Sequence, residues 1–160
     1  MAYFLDTPSQ AALDSLEHIS TKYGYKIVAF PYLHKAYEQF KDIIYYPVGP
    51  QEFVSLIRRA QCVLTDSFHG TVFSINLQIP FWTFERNYAS GKGQSDRITS
   101  ILNKMGLQNH YITCSDTKTY LISIDKRAMQ KAKQWIINQR TLSREFLQNA
   151  FLQTGGKHDK

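Results

Sequence analysis

The chain has 160 residues, of which 43% are hydrophobic; this is enough for one core and too little for two domains of ordinary size. Ten Tyr and ten Phe residues argue against an extensively disordered chain. The net charge is +6 and the pI is about 9.3. Such a charge suits binding to a nucleic acid, an anionic lipid or a small anionic substrate, and it is equally consistent with a role in solubility alone.

The cysteines and the apolar runs of the sequence argue against a disulfide-rich, a metal-binding, a membrane-spanning or a secreted protein. Cys62 and Cys114 are too few and too isolated for a disulfide framework or a metal site. No run of about 18 apolar residues and no signal peptide is found, so we expect a cytoplasmic protein. The basic residues are scattered and form no recognition motif, so we expect no nucleic-acid partner.

Apolar runs alternate with helical patterns in the first half of the chain. Ser9 and Gly24 are typical of the start and the end of a helix, and Pro50 opens another. The predicted elements are a short apolar run at 3–6, a helix at 9–23, a strand at 26–31, a short helix at 34–41, an extended segment at 43–50, a helix at 51–60 and a strand at 62–66.

The second half of the chain continues the alternation. The predicted elements are a helix at 70–78, a strand at 80–85, a polar loop at 87–95, a helix at 96–107, two strand segments at 111–114 and 120–123, and a helical pattern from Asp125 with a second helix start at Ser143. The buried runs lack a period of two, which favours a parallel sheet. We therefore predict one α/β domain over 1–160, with a Rossmann-like parallel sheet and helices on both faces.

The segment TDSFHGT at 65–71 stands where a predicted strand ends and a helix begins. Ligands of open α/β sheets bind beyond the carboxyl ends of the strands, and helix N-termini favour anions. Gly70 would let a ligand approach the backbone, and the hydroxyls of Ser67 and Thr71 could bind it. Ser67 is equally an ordinary helix cap. The pattern indicates a phosphate or carboxylate site.

His69 is the candidate acid or base of this segment, because histidine titrates near neutral pH. Asp66 would orient the imidazole or cap the helix, while Phe68 would pack inward. A structural role for a single histidine is the competing interpretation. The segment lacks a G-x-S-x-G elbow and a second metal ligand at motif spacing, which argues against a serine hydrolase and a zinc site.

Two further regions could line the same crevice. Gly49 and Glu52 belong to VGPQEF, a second strand-to-helix corner that is otherwise a simple tight turn. Arg86, Lys92 and Arg97 flank a glycine-containing loop and suit an anionic substrate, or else a solvated surface. The loop has neither the P-loop nor the dinucleotide-binding spacing, so no nucleotide cofactor is predicted.

The helical pattern at 126–140, KRAMQKAKQWIINQR, is basic and amphipathic. It favours a core helix with a solvated outer face, and contact with a membrane surface or a partner helix is the alternative.

The run VGPQEFVSLIRRAQCVLTDSFHGTVFSINLQIPF at 48–81 resembles the core of the polysaccharide pyruvyl transferase family. The shared features are a GP-x-EF helix, an apolar strand leading into DSFHG, a helix of small residues and a PF strand. A looser similarity extends from Tyr3 to Phe151 through Arg97 and an R-x-x-S-x-x-FL pattern at 140–147.

The resemblance implies a fold, a reaction and roles for residues. Members of the family look like two-domain GT-B proteins, of which this chain resembles the C-terminal, donor-binding half, with the N-terminal half absent. They transfer pyruvyl from phosphoenolpyruvate to sugar hydroxyls as a ketal, in the biosynthesis of cell-surface polysaccharides. No metal or organic cofactor is implied. The partners would be phosphoenolpyruvate and a saccharide acceptor, near the inner face of the membrane, and the uncovered cleft face could drive self-association.

The family's histidine falls on His69, which together with Asp66 forms the implied catalytic pair. The implied substrate-binding residues are Ser67, Phe68, Gly70, Thr71, Arg86, Arg97, Gly49 and Glu52. Two alternatives stay open. One is a GT-B glycosyltransferase donor domain that uses a sugar nucleotide, with Glu52 or Glu85 on the ribose; the other is a non-catalytic anion-binding module.

Overall fold

The fold is organised around a parallel sheet. The computed structural model describes residues 1–30, 35–47, 49–86, 95–114 and 126–155, and in them six strands pair in the order β3-β2-β1-β4-β5-β6, all parallel. The strands are β1 (Ala2–Tyr3), β2 (Ile27–Ala29), β3 (Ile43–Tyr45), β4 (Val63–Thr65), β5 (Phe81–Phe84) and β6 (Tyr111–Ile112). The predicted Rossmann-like sheet is confirmed.

Five α-helices connect or follow these strands within the described residues, and their ends follow local sequence signals. They are α1 (Gln10–Tyr23), α2 (Pro50–Arg59), α3 (Phe68–Leu77), α4 (Ser95–Met105) and α5 (Lys126–Gly155). The Ser9 hydroxyl accepts a hydrogen bond from Ala12 N at 3.3 Å and so caps α1. Gly24 ends α1 in the left-handed conformation, at φ 67°, which glycine adopts without strain.

The hydrophobic core lies on both faces of the sheet. Because successive strand residues point to opposite faces, Val63 and Phe81 pack with α2 to α5, while Leu64 and Trp82 pack with α1. All four side chains are buried. The uninterrupted apolar runs of these strands follow from burial on both faces.

The sequence predictions differ from the structure in a few places. One continuous helix, α5, replaces the predicted second start at Ser143, because no proline or glycine interrupts residues 126–154. A short 3-10 turn at 35–37 takes the place of the helix predicted at 34–41. The strand predicted at 120–123, Lys92 and most of the loop at 87–95 lie outside the described residues.

The direction of the connections reverses at one place in the sheet. β1 and β4 are hydrogen-bonded neighbours, but the chain leaves β1 for α1 on one face and leaves β4 for α3 on the other. Such a switch point is where open α/β sheets bind ligands. None of the described helices has the length and apolar character needed to cross a membrane.

Candidate functional site

Asp66 ties together the ends of three strands at the switch point. Its carboxylate accepts hydrogen bonds from Leu5 N at 2.7 Å and Asp6 N at 3.1 Å, just beyond β1. From the end of β5, Arg86 Nε donates to Asp66 Oδ2 at 2.9 Å, and Arg86 Nη2 donates to the Asp66 carbonyl at 3.1 Å. The Asp66 side chain therefore links β1, β4 and β5.

Burial and partners act on Asp66 in opposite directions. The side chain is 4% exposed, and burial raises the pKa of the Asp66 carboxyl above its ordinary value. The hydrogen bond from Leu5, the charge and hydrogen bond of Arg86 and the hydrogen bond from Asp6 pull the pKa back down. Arg86 stays protonated at any working pH, so the pair is held by charge as well as by geometry.

The expected pairing of Asp66 with His69 needs correction. Both oxygens of the Asp66 carboxylate are directed at Leu5, Asp6 and Arg86, and the described contacts of Asp66 do not include the His69 imidazole. Asp66 instead supports the backbone corner on which His69 stands.

A tight turn joins β4 to α3. Ser67 N donates to Thr65 Oγ1 at 3.0 Å, and Ser67 Oγ caps α3 by accepting from Gly70 N at 3.4 Å. A Cβ atom added to Gly70 would lie 2.6 Å from Thr65 Oγ1. The absence of a side chain at Gly70 thus lets α3 pack on β4, which corrects the expectation that Gly70 leaves room for a ligand.

Thr71 is turned into the protein. Its hydroxyl donates to the Ser67 carbonyl at 2.9 Å and lies 2.7 Å from the Thr83 hydroxyl on β5. Thr71 and Thr83 are both fully buried. The hydroxyl that was expected to bind an anion therefore fastens α3 to the neighbouring strand.

His69, Phe68 and Arg97 form the outward-facing part of the corner. His69 is exposed, and its ring meets that of Phe68 edge-on at 5.9 Å between centroids. The Arg97 guanidinium, from the first turn of α4, lies 5.2 Å from the centre of the Phe68 ring. The imidazole and the guanidinium therefore both lie against the Phe68 ring at the N-terminus of α3, and Phe68 is half-buried rather than packed fully inward.

The backbone of the same turn has donors to offer. Gly70 N is taken by the Ser67 hydroxyl and Thr71 N by the Ser67 carbonyl. The amides of Phe68 and His69 have no hydrogen-bond acceptor among the residues that the structure describes. Unpaired amides at the positive end of a helix favour a bound anion.

The second corner, at Gly49 and Glu52, is largely self-contained. Glu52 Oε2 accepts from Gly49 N at 3.1 Å, so this carboxylate caps α2. Phe53, one residue on, contacts the ring of Tyr3 on β1 at 4.7 Å and that of Phe73 on α3 at 5.9 Å. The first turn of α2 therefore lies beside β1 and α3.

The carboxylate of Glu85 also has a backbone partner. Glu85 Oε2 accepts from Cys114 N at 3.0 Å. Glu52 and Glu85 are the two carboxylates considered above for binding a ribose. Each of them instead accepts a hydrogen bond from a backbone amide.

Sequence reasoning missed the two threonines that fix this corner. Thr65 donates to the Tyr3 carbonyl at 2.5 Å and accepts from Ser67 N, and Thr83 meets Thr71. A signal was present, since each threonine interrupts an otherwise apolar strand, and a buried hydroxyl needs a partner. Among the described residues, no group of three His, Cys, Asp or Glu side chains could hold a metal ion.

Comparison with known proteins agrees with this architecture. An O-GlcNAc transferase from Thermobaculum terrenum (K341M mutant) has a similar structure, with a TM-score of 0.55 and 14% identity over 86% of this chain. The chain spans 31% of the length of that protein, so the likeness concerns the fold of one portion of a GT-B enzyme. No curated protein matches the chain.

The family model "Polysaccharide pyruvyl transferase" matches residues 4–88, which is more than half of the chain. The matched part runs from the end of β1 past β5 and includes Asp66, His69 and Arg86, while Arg97 lies beyond it. The chain thus belongs to the polysaccharide pyruvyl transferase family.

Proposed function

We propose that this chain supplies the phosphoenolpyruvate site of a transferase that places a pyruvyl ketal on a saccharide. The observation that carries the proposal is the exposed imidazole of His69 on the first turn of α3, which lies against the same Phe68 ring as the Arg97 guanidinium. Phosphoenolpyruvate carries a phosphate and a carboxylate, and both suit a helix N-terminus with nearby cations.

The reaction asks for a proton donor and for charge stabilisation. A sugar hydroxyl adds to C2 of phosphoenolpyruvate while C3 gains a proton and becomes a methyl group. The C2–O bond to phosphate then breaks, a second hydroxyl takes its place, and the departing phosphate gains the proton that this hydroxyl loses. The His69 imidazole is the candidate proton donor and acceptor, and the cations and amides can hold the phosphate as its charge grows.

Asp66 and Arg86 support this chemistry by fixing the strand ends next to His69. The charge of Arg86 is paired with that of Asp66. Arg86 therefore contributes less to binding the substrate anion than a cation without a carboxylate beside it. We assign Asp66 to positioning rather than to proton transfer. We also propose that the acceptor belongs to a cell-surface polysaccharide and that the reaction takes place in the cytoplasm.

Calorimetric titration with phosphoenolpyruvate tests the donor site. We expect saturable binding by the wild type, loss of binding in His69→Ala and in Arg97→Met, and unchanged binding in His18→Ala. His18 on α1 is a matched control, since α1 covers the opposite face of the sheet. Wild-type affinity in His69→Ala would remove His69 from the site.

A competition series separates the chemistries of the ligand. Phosphoenolpyruvate is expected to bind more tightly than phosphate or pyruvate alone, because it engages both anion positions. Tighter binding of a uridine diphosphate sugar would favour the sugar-nucleotide alternative instead. Equal affinity for phosphate and phosphoenolpyruvate would point to a general anion site.

A further inference from the structure

The second half of α5 carries an apolar face that extends past the body of the protein. In the first half, Met129, Ala132 and Ile136 point to the body, and Met129 and Ala132 are buried in its core. The same three- and four-residue spacing continues through Ser143, Phe146 and Ala150. The helix face that packs on the core therefore runs on beyond it.

This part of the helix is exposed. Every residue from Ile137 to Leu152 is exposed, although Arg140 still donates to Asn76 on α3 at 2.9 Å. The large apolar side chains with their exposed fractions are Leu142 57%, Phe146 72%, Leu147 52%, Phe151 73% and Leu152 77%. Leu152 lies on the other side of the helix; the remaining four share one side and together expose on the order of 500 Å², within the range of the largest apolar patch of a typical monomer.

We propose that this face binds the same face of a second copy of the chain, in an antiparallel helix pair. With a two-fold axis between Phe146 and Leu147, Phe146 of one copy lies against Leu147 of the other. The same register places Leu142 opposite Phe151, and Ser143 opposite Ala150. Large side chains then meet large ones and small meet small, which is what a two-fold interface requires of one repeated surface.

The neighbouring groove fits this arrangement. Leu147 borders an apolar groove of about 460 Å³ between α3, α4 and α5, with Val72, Ile101 and Ile136 among its walls. In the proposed register, Phe146 of the partner reaches the mouth of this groove. Two copies together would bury about 1,000 Å², in the range of weak and transient interfaces, so we expect a reversible dimer of low affinity.

Sedimentation equilibrium from low micromolar to several hundred micromolar protein tests the dimer. The wild type should pass from monomer to dimer, and Phe146→Glu should raise the dissociation constant roughly a hundredfold or more. Gln148→Glu adds the same charge two residues on, nearly opposite Phe146 around the helix, and should leave the dimer intact. A monomeric wild type throughout this range, or equal weakening by Gln148→Glu, would overturn the proposal and leave another occupant for the face.

Cross-linking checks the register without relying on Phe146→Glu to fold. In a Cys114→Ser background, which removes the exposed thiol, Ser143→Cys and Ala150→Cys combined should give a disulfide-linked dimer on mild oxidation. These positions are about 10 Å apart along one helix, so they cannot bond within a chain. Each single variant should cross-link poorly; equal cross-linking of the single variants would exclude the antiparallel register.

Discussion

Asp66 and Arg86 form a salt bridge of 2.9 Å across the ends of two adjacent strands, although twenty residues separate them in the chain. The same carboxylate also holds the backbone after β1. The corner that presents His69 is thus fixed by a charge pair lying beneath it.

Replacing Asp66 by Asn should destabilise the fold by about 2–4 kcal/mol, because Arg86 would keep a charge without its counter-ion. Chemical unfolding measures the loss. Asp14→Asn on the exposed side of α1 is the control and should change the free energy of unfolding by less than about 0.5 kcal/mol. Equal effects of the two substitutions would show that the Asp66 network contributes little.

Gly70→Ala should destabilise the protein by about 1–2 kcal/mol, since the new methyl group would lie 2.6 Å from Thr65 Oγ1. The helix propensity gained from alanine is too small to offset this clash. The cost should shrink in a Thr65→Ala background, measured as a double-mutant cycle by urea unfolding. Additive effects of the two substitutions would refute the close approach as the cause.

Ser67 and His69 should respond differently although they share one turn. Ser67→Ala removes the cap of α3 and should cost about 1 kcal/mol. His69→Gln replaces an exposed ring and should change stability by less than about 0.5 kcal/mol. Thermal unfolding of both variants checks this contrast; a destabilised His69→Gln would assign the histidine a structural role.

The two thiols should differ in reactivity. Burial raises the pKa of Cys62, and burial together with the charge of Glu85 raises the pKa of the exposed Cys114. The thiolate is the form that reacts with a disulfide reagent. We therefore expect the reagent to label Cys114 slowly in the native protein and Cys62 only after unfolding. Glu85→Gln should lower the pKa of Cys114 and speed its labelling; an unchanged rate would contradict the influence of Glu85.

The architecture was readable from the sequence because its signals are local. Pro50, Ser67 and Gly24 mark helix ends within a few residues, and unbroken apolar runs such as CVLT indicate strands buried on both faces. The strand-to-helix corner at 65–71 followed directly from this alternation.

The contacts inside the corner depend on strand order, which local signals do not reveal. Leu5 and Asp66 are 61 positions apart and meet only because β1 and β4 are neighbours. Without that order, His69 was the nearest partner that the sequence offered for Asp66. For the same reason, the sequence did not reveal that the Thr71 side chain points inward, because its partner Thr83 lies on a neighbouring strand.

The division of one helical turn into an inward side and an outward side has a consequence for genetic selection. Gly70 and Thr71 are buried against strands, whereas His69 is exposed. In a saturation library, changes at the two inward positions would be lost at the level of soluble expression, whatever the selected activity. Variants at His69 would instead be folded and abundant. Measuring both abundance and activity for variants of this single turn therefore distinguishes residues needed for folding from residues needed for the reaction.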